Sequence, residues 1–417
     1  MIHMLERLPD VERRAELAEF VCSAFDSLPR ADQRRWAAFY VNGLLTVPRR
    51  KSIRNMADGH LVDSTVQSLQ QFVNQSPWDW SPIRGKLIDF VAEKASPQAW
   101  ILDRMVIPKR GAHSVGVARR FIPEQGRTMN SQLGAGLFLA GAGYSVPVDW
   151  SIVLSGKWAT DEGWRAKSRV PGEVVGADEA GTMLGLVGTH LPAETGRLPG
   201  ILLADFCGNP AATQLVPALA RRGTPFLVQV DEAQEAVGMP RPMTRPARHA
   251  EHQHSRTTVG ELFRMLGRQR ALSPLRGTDD ACTLVLSALV RLPTRMPAGD
   301  GPRPYVTQRL VVEWPVCENE TVRYWLTNLG HDRLAELPGF ISLLRGHRSE
   351  LAALRNDFGV LDFEGRSFPG WHHHMTLVSA AFTYDRLARR GTPGVVRRRE
   401  ISRIGPECGG EPVTLAG

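Results

Sequence analysis

The middle of the chain carries strand-type segments in an order that limits the possible folds. Three runs come first, separated by polar, Gly or Pro breaks as in a β-meander: AWILDRMVI from Ala99, then HSVGVARRFI and NSQLGAGLFLA. A short apolar strand, GILLADF, lies further along between Gly200 and Gly208, and an amphipathic helix, ATQLVPALARR, and a strand, TPFLVQV, follow it. This order predicts an α/β fold in which a mixed sheet is flanked by helices.

The remaining segments predict the domain organisation. Residues 1–95 are expected to form a helical domain, because apolar residues recur at helical spacing in ERRAELAEFVCSAFDSL and DQRRWAAFYVNGLL. The core is expected over 96–231 and again over 307–390, which ends in two helices. Between these parts, 232–306 is rich in Pro, Arg and His without clear periodicity, which predicts an insertion before the last core helix. The basic, Gly-rich tail, 391–417, is expected to be flexible.

Composition indicates a globular protein of the cytoplasm and leaves a polyanionic partner open. Hydrophobic residues make up 42% and charged residues 23% of the 417 residues, which excludes wholesale disorder. We expect no membrane contact, because no apolar run reaches the ~18 residues of a span and the first residues lack the apolar stretch of a secretory signal. The five scattered cysteines fit reduced thiols. The net charge of +8 rests mostly on arginine, which suits phosphate oxygens, although a compositional bias toward arginine explains it equally well.

Two aspartates occupy strand positions where an unpaired charge would be costly. Asp103 lies inside the first strand-type run and Asp205 ends the short apolar strand. A charge there costs several kcal/mol unless it is paired or bound to a metal. Two such carboxylates on neighbouring strands are candidate ligands for Mg²⁺ in a two-metal phosphodiester site. The alternative is that each aspartate caps a turn or pairs with an arginine.

Other candidate motifs favour structural roles. The histidines His249, His252 and His254, with the run 372–374, have no cysteine at ligand spacing, so zinc is disfavoured. The Gly134–Gly136 step lacks the following glycine and helix of a dinucleotide site. Cys207 is expected to be a small core residue rather than a nucleophile, because no base is assigned to it.

Motifs spread over most of the chain resemble those of the DDE-superfamily transposases of bacterial insertion sequences. The matches run from about Gln33 to Leu387. They include Arg50-Lys51-Ser52, Leu69-Gln70-Gln71-Phe72, Pro108-Lys109-Arg110-Gly111, Asn130-Ser131-Gln132, Asp149-Trp150, Val312-Glu313-Trp314-Pro315, Tyr324-Trp325-Leu326, Phe363-Glu364-Gly365-Arg366-Ser367 and Gly370-Trp371-His372-His373-His374. The resemblance implies a ribonuclease-H-like core whose first two catalytic carboxylates match Asp103 and Asp205. It also implies Mg²⁺ or Mn²⁺ as the cofactor if the site is active, double-stranded DNA as the partner, and a homodimer as a further option.

The third carboxylate position departs from the family pattern. Counting back from Gly359, the family glutamate falls on Arg348, and the nearest acid is Glu350. Two residues on a helix are ~200° apart, so Glu350 is expected to face away from Asp103 and Asp205 unless the helix slips. An arginine beside two aspartates would disfavour Mg²⁺ and would replace one of its ligands.

The resemblance, together with a basic turn in the helical domain, predicts which residues hold DNA. They are Arg49, Arg50, Lys51, Lys109, Arg110, Arg119, Arg120, Arg127, Arg355 and Arg366. The alternation of side chains along a strand lets only some of the hairpin arginines face one side. The alternative for the basic turn is a solvated face without a partner.

Three functional hypotheses remain open. The first is a transposase-derived DNA-binding protein with impaired cleavage that serves as a nucleoid-associated regulator or accessory factor. The second is an active transposase that cuts and joins DNA with Asp103, Asp205 and a shifted Glu350 as catalytic residues. The third is unrelated chemistry on a small molecule, with Asp103 or Asp205 as general acid or base.

Overall fold

The helices form where apolar residues recur every three to four positions. The structure, a computed structural model, describes residues 11–48, 50–57, 63–122, 125–191, 198–238, 257–266, 273–276, 282–293, 305–315 and 321–388. The helices are α1 (Val11–Ala24), α2 (Ala31–Thr46), α3 (Ile53–Ala57), α4 (Asp63–Asn74), α5 (Ser81–Ala95), α6 (Lys157–Thr160), α7 (Glu162–Lys167), α8 (Glu179–His190), α9 (Ala212–Arg221), α10 (Val259–Leu266), α11 (Leu337–Asp357) and α12 (Phe368–Leu387), and a 3-10 helix covers His331–Glu336. In the described part of the chain, no helix has both the length and the apolar character needed to cross a membrane.

The strands are β1 (Ala99–Pro108), β2 (Ala118–Ile122), β3 (Arg127–Gly141), β4 (Tyr144–Ile152), β5 (Leu202–Asp205), β6 (Phe226–Val230), β7 (Glu235–Gly238), β8 (Thr257–Thr258), β9 (Ser273–Arg276), β10 (Cys282–Pro293), β11 (Tyr305–Pro315) and β12 (Arg323–Thr327). They pair in the order β2-β3-β1-β5-β6-β12-β11-β10-β7-β8, with β4 on β3 and β9 on β10. Strand β2 therefore lies at an edge of the sheet.

The sheet is mixed in direction, as the order of the sequence segments predicts. Strand β1 is antiparallel to β3 and parallel to β5, which is in turn parallel to β6. From β6 onwards the neighbours are antiparallel, beginning with β12. Strands β1 and β5 are largely buried, and they read as nearly continuous apolar runs, as is usual for buried parallel strands. The predicted α/β class is confirmed, and the arrangement is consistent with a ribonuclease-H-like core.

Helix α12 is the element on which the helical segment and the sheet meet. Eighteen of its twenty residues are buried, as expected for a helix enclosed on all sides. Helices α2, α4 and α5 and strand β4 all pack against it. The helical segment predicted over 1–95 thus packs directly on the core, and β1 begins at Ala99, shortly after that predicted boundary.

The described parts of 232–306 contain more regular structure than the sequence pattern indicates. Strand β10 pairs with β11 from Thr283↔Pro315 to Pro293↔Tyr305, and β7 and β9 pair with β10. The expectation of an aperiodic segment is therefore wrong for these strands, which extend the sheet of the core. The apolar residues of β10, CTLVLSALVRLP, lie among stretches rich in Pro, Arg and His, so the segment as a whole lacks clear periodicity. The predicted tail, 391–417, lies outside the described residues.

Candidate active site

The two aspartates lie side by side on the central parallel strands. Leu102 of β1 pairs with Ala204 of β5, so Asp103 and Asp205 occupy the next position on each strand. Neighbouring strands are ~4.8 Å apart, and residues in register point to the same face. Both side chains line one cleft of about 320 Å³ and remain 23% and 28% exposed. We call this space the aspartate cleft.

His347 of α11 holds the Asp103 carboxylate. Its Nε2 lies 3.1 Å from Asp103 Oδ2, and its Nδ1 lies 2.9 Å from Ser145 Oγ. The imidazole is buried, with the edge of Phe138 against it at a ring-centroid distance of 4.6 Å. A neutral imidazole satisfies both contacts when Nε2–H donates to the carboxylate and Nδ1 accepts from the hydroxyl. The remaining oxygen, Asp103 Oδ1, accepts from the backbone N–H of Arg104 at 2.6 Å.

Arg348, the next residue of α11, holds the Asp205 carboxylate. Its Nη2 lies 2.5 Å from Asp205 Oδ2 and 3.5 Å from Gln229 Oε1. Asp205 Oδ1 accepts from the backbone N–H of Cys207 at 3.1 Å. The structure therefore displays both of the structural alternatives that the sequence leaves open for this aspartate, because it caps the turn at Cys207 and pairs with an arginine. Each carboxylate is thus in contact with one of two adjacent side chains of α11.

Glu350 lies on the opposite side of α11. Its Oε2 accepts from Arg386 Nε of α12 at 2.6 Å, and both side chains are about one-quarter exposed. This contact agrees with the ~200° that separates Glu350 from Arg348 on the helix. The structure therefore does not bring the predicted third catalytic acid to Asp103 and Asp205.

The basic residues predicted to hold DNA differ in availability. Arg49 lies outside the described residues, and Arg50 is exposed and paired with Glu364 at 2.7 Å. The Lys51 side chain is 5% exposed and its ammonium donates to the Val47 carbonyl, so burial lowers its pKa. This corrects the expectation that Lys51 contacts phosphate. Lys51 instead packs against the turn at Gly359. The φ of Gly359 is +68°, and a side chain at this position would collide with the lysine.

Lys109 and the hairpin arginines also divide into held and exposed side chains. Lys109 Nζ donates to the Phe363 carbonyl at 2.5 Å, and burial lowers its pKa to about 8. Arg120 is half-buried and donates through Nη1 to the Ser131 carbonyl at 2.7 Å. The exposed residues of the set are Arg110, Arg119, Arg127, Arg355 and Arg366, of which Arg355 also donates through Nε to Met105 Sδ at 3.3 Å.

Cys207 lies at the mouth of the aspartate cleft. The thiol is exposed, so the expectation of a core residue is wrong. Its Sγ donates to Asp231 Oδ1 at 3.4 Å, and partial loss of solvent around the sulfur together with the nearby carboxylates raises its pKa to about 11. At neutral pH it is therefore a thiol, which is a poor nucleophile.

The histidines of 372–374 join the helical segment to the core. Arg84 Nη2 lies 3.1 Å from His372 Nδ1, and the two nitrogens of His373 lie 2.8 Å from the carbonyls of Val73 and Trp78. His374 bridges the Tyr40 hydroxyl and the Gly359 carbonyl, both at 3.0 Å. All three rings are buried. His249, His252 and His254 lie outside the described residues.

Sequence reasoning missed His347. The apolar stripe of α11 runs through Phe340, Leu344, Leu351 and Leu354, all buried, and His347 lies on it. A histidine in such a stripe needs a hydrogen-bond partner inside the protein, and that signal could have directed attention to Asp103.

The comparison with known families agrees with this geometry. A family model described as DDE superfamily endonuclease matches residues 24–278, more than half of the chain, including both aspartates but not α11. No curated protein matches the sequence. On the family match, together with two neighbouring strand aspartates at one cleft of a mixed sheet, the chain belongs to the DDE superfamily of endonucleases.

Proposed function

We propose that this protein binds double-stranded DNA but has impaired strand cleavage, so that it serves as a regulator or accessory factor derived from a transposase. The observation that carries the proposal is the ion pair between Arg348 Nη2 and Asp205 Oδ2 at 2.5 Å. Endonucleases of this superfamily generally use divalent metals. The arginine lies against one of the two carboxylates that such a metal would need.

The donor set around the cleft does not fit a pair of divalent ions. Mg²⁺ demands near-octahedral oxygen coordination. Asp103 and Asp205 supply two carboxylates, whereas Glu350 is turned toward Arg386. Within the described ranges, no group of three or more His, Cys, Asp or Glu side chains is placed to hold a metal ion. Asp103 and Asp205 alone therefore leave a pair of divalent ions short of carboxylate ligands.

The positive charge of Arg348 weakens the binding of a divalent ion further, beyond the effect of the missing carboxylate ligand. A guanidinium within about 5 Å of a divalent ion repels it by about 2 kcal/mol at the permittivity of water and by about 7 kcal/mol at an effective dielectric constant of about 20. Because the Arg348 side chain is 57% exposed, the lower figure applies, which corresponds to binding weakened about 30-fold. The lost carboxylate adds to this, because phosphoryl transfer depends on positioned metal ions.

Exposed arginines near the cleft support retention of DNA binding. Arg355 lines the cleft itself, and Arg110 lies two residues after Pro108, which ends β1 and also lines the cleft. Arg119 and Arg127 project from the adjoining hairpin and Arg366 from the segment before α12. Guanidinium groups bind phosphates through paired hydrogen bonds, and each phosphate neutralised steepens the salt dependence of log Kd by about 0.9.

The test is Mn²⁺-dependent nicking of supercoiled DNA by a series of variants. Wild type is expected to nick at background level, and Arg348→Ala, which removes the charge without supplying a ligand, is expected to gain little. Arg348→Glu removes the positive charge and also supplies a carboxylate, and it is expected to nick above background. This gain should disappear in Arg348→Glu/Asp103→Ala. Glu350→Gln should leave the activity of Arg348→Glu unchanged.

Two results would contradict the proposal. Nicking by wild type that is lost in both Asp103→Ala and Glu350→Gln would establish the active transposase with a shifted third acid. Duplex binding that is absent at low salt would remove the DNA-binding function altogether. It would favour the third hypothesis, chemistry on a small molecule.

A further inference from the structure

The exposed face of α4 carries amide side chains and no charge. Gln67, Gln70 and Gln71 are exposed on it, and we call these three residues the amide face. Leu69 and Phe72, on the other side of the helix, are buried in the core. Beyond its first residue, α4 contains no Asp, Glu, Lys or Arg. The polar side of a surface helix ordinarily carries charged residues, so a side made of glutamines points to a partner that charges would not suit.

The spacing of the three glutamines places their side chains next to one another. They occupy positions i, i+3 and i+4, which are neighbours on a helix surface. Four residues span ~6 Å along the helix axis, which is close to two base-pair steps of ~3.4 Å. In the described part of the chain, no hydrogen bond joins these amides to another residue. All three amide groups are therefore available to a partner.

An uncharged amide face fits the edges of base pairs in the major groove of DNA. Each amide has N–H donors and a carbonyl acceptor, and a glutamine pairs through both with N6 and N7 of adenine. The major groove is ~12 Å wide and admits a helix of ~10–12 Å diameter. A face of lysine and arginine would instead bind the phosphates of any sequence.

Exposed arginines lie where α4 ends, in position to hold phosphates beside the groove. Arg30 Nη2 lies 3.5 Å from Ser76 Oγ, and Arg169 Nη1 lies 3.5 Å from the Gln75 carbonyl oxygen, on the two residues that follow α4. Arg30 also lies 3.8 Å from Asp32, but both side chains are more than half exposed, so this pair is weak. Arg169 has a φ of +54°, a left-handed conformation that is uncommon for a residue with a side chain and occurs often at functional sites.

We propose that α4 lies in the major groove of double-stranded DNA, where Gln67, Gln70 and Gln71 read base pairs with a preference for adenine. This proposal rests on the proposed function, namely that the chain binds DNA. It adds the element that distinguishes one sequence from another, whereas the arginines bind phosphates of any sequence. One bidentate contact between a glutamine and adenine corresponds to about 5- to 150-fold of discrimination against the wrong base.

The test first selects preferred sites for the full-length protein from a pool of random duplexes, and then titrates a selected and a scrambled duplex. Gln67→Ala, Gln70→Ala and Gln71→Ala are each expected to lower the ratio of the two affinities about 5- to 150-fold. The scrambled duplex and the slope of log Kd against log salt should stay unchanged, because no phosphate contact is lost. Gln70→Glu should move the preference at its base pair from adenine toward cytosine, whose N4 amino group donates to a carboxylate.

Three controls separate base reading from other effects. Alanine has the highest helix propensity, so the alanine variants are expected to keep α4, and far-UV circular dichroism checks this. Gln98→Ala replaces an exposed glutamine just before β1 and should bind both duplexes as wild type does. Arg169→Ala should weaken both duplexes alike and reduce the salt slope by about 0.9.

Several outcomes would overturn the proposal. A wild type without sequence preference, alanine variants that all keep the wild-type preference, or an equal loss on both duplexes would reject base reading by α4 while the proposed function stands. Conversion of an oligomer to a monomer by the alanine variants in light scattering would show that a second copy covers the amide face instead. Failure of the wild type to bind either duplex would reject the proposed function and this inference together.

Discussion

Arg84 and Asp149 form a buried ion pair that joins α5 to β4. The side chains are 5% and 13% exposed. Arg84 also donates to the Trp150 carbonyl and to Thr376 Oγ1, both at 2.8 Å, and His190 Nε2 lies 2.5 Å from the second oxygen of Asp149. Burial by itself raises the pKa of Asp149, but the charge of Arg84 and the contact with His190 outweigh it and lower the pKa to about 2.

The structure gives two estimates of what Asp149→Asn should cost. The shift of its pKa from 3.8 to about 2 corresponds to roughly 2.4 kcal/mol of stability at neutral pH. Leaving the buried guanidinium of Arg84 without its partner costs about 3–5 kcal/mol in comparable pairs. With an unfolding entropy of about 2.1 cal/mol/K per residue, the larger range lowers the Tm of this chain by about 3–6 °C.

Thermal unfolding at a series of pH values tests this estimate. The folded pKa lies below the unfolded one, so the stabilisation is complete above the ordinary pKa of 3.8 and is lost as the pH falls toward about 2. The difference in Tm between wild type and Asp149→Asn should therefore shrink over that window. Asp26→Asn is the matched control, because Asp26 pairs with Lys86, which lies on α5 as Arg84 does, but the side chains of this pair are 56% and 36% exposed. The substitution should shift Tm by less than about 1 °C. An Asp149→Asn variant whose Tm lies within about 1 °C of that of wild type at neutral pH would show that the ion pair does not stabilise the fold as described.

Two further predictions concern the rim of the cleft. Lys109→Met should leave the salt slope of DNA binding unchanged, because its ammonium donates to the Phe363 carbonyl, whereas Arg110→Ala, at an exposed neighbour, should reduce the slope by about 0.9. Filter binding over a salt series measures both slopes, and equal slopes for the two variants would contradict the assignment. Because burial and Asp231 raise the pKa of Cys207 to about 11, its alkylation followed by mass spectrometry should accelerate about tenfold per pH unit up to that value and should be faster in Asp231→Asn. An alkylation rate that levels off about two pH units below that value would contradict the raised pKa of Cys207.

The sheet and its two aspartates could be predicted because they depend on local pattern. The order of strand-type runs gave the mixed sheet, and a charge within each apolar strand singled out Asp103 and Asp205 before any geometry was known. Helical periodicity likewise placed Glu350 on the far side of α11 from Arg348. Each of these inferences needs only the spacing of residues along one element.

The partners of those residues could not be predicted, because they come from contacts between distant segments. Lys51 reads as an exposed cation in a basic turn, yet the loop at Gly359 covers it. Cys207 reads as a small core residue, yet it follows the end of β5 and faces Asp231. The contact of His347 with Asp103 spans 244 residues, and nothing in the local sequence specifies which carboxylate the histidine meets.

Isothermal titration of Mn²⁺ into the protein measures whether Arg348 weakens the binding of a divalent ion by Asp103 and Asp205. Wild type is expected to bind Mn²⁺ at least about 30-fold more weakly than Arg348→Glu, and the site gained by Arg348→Glu should disappear in Arg348→Glu/Asp103→Ala. Tight Mn²⁺ binding by wild type that is lost in Asp103→Ala would rule out this role of Arg348, because the arginine would then not exclude the metal.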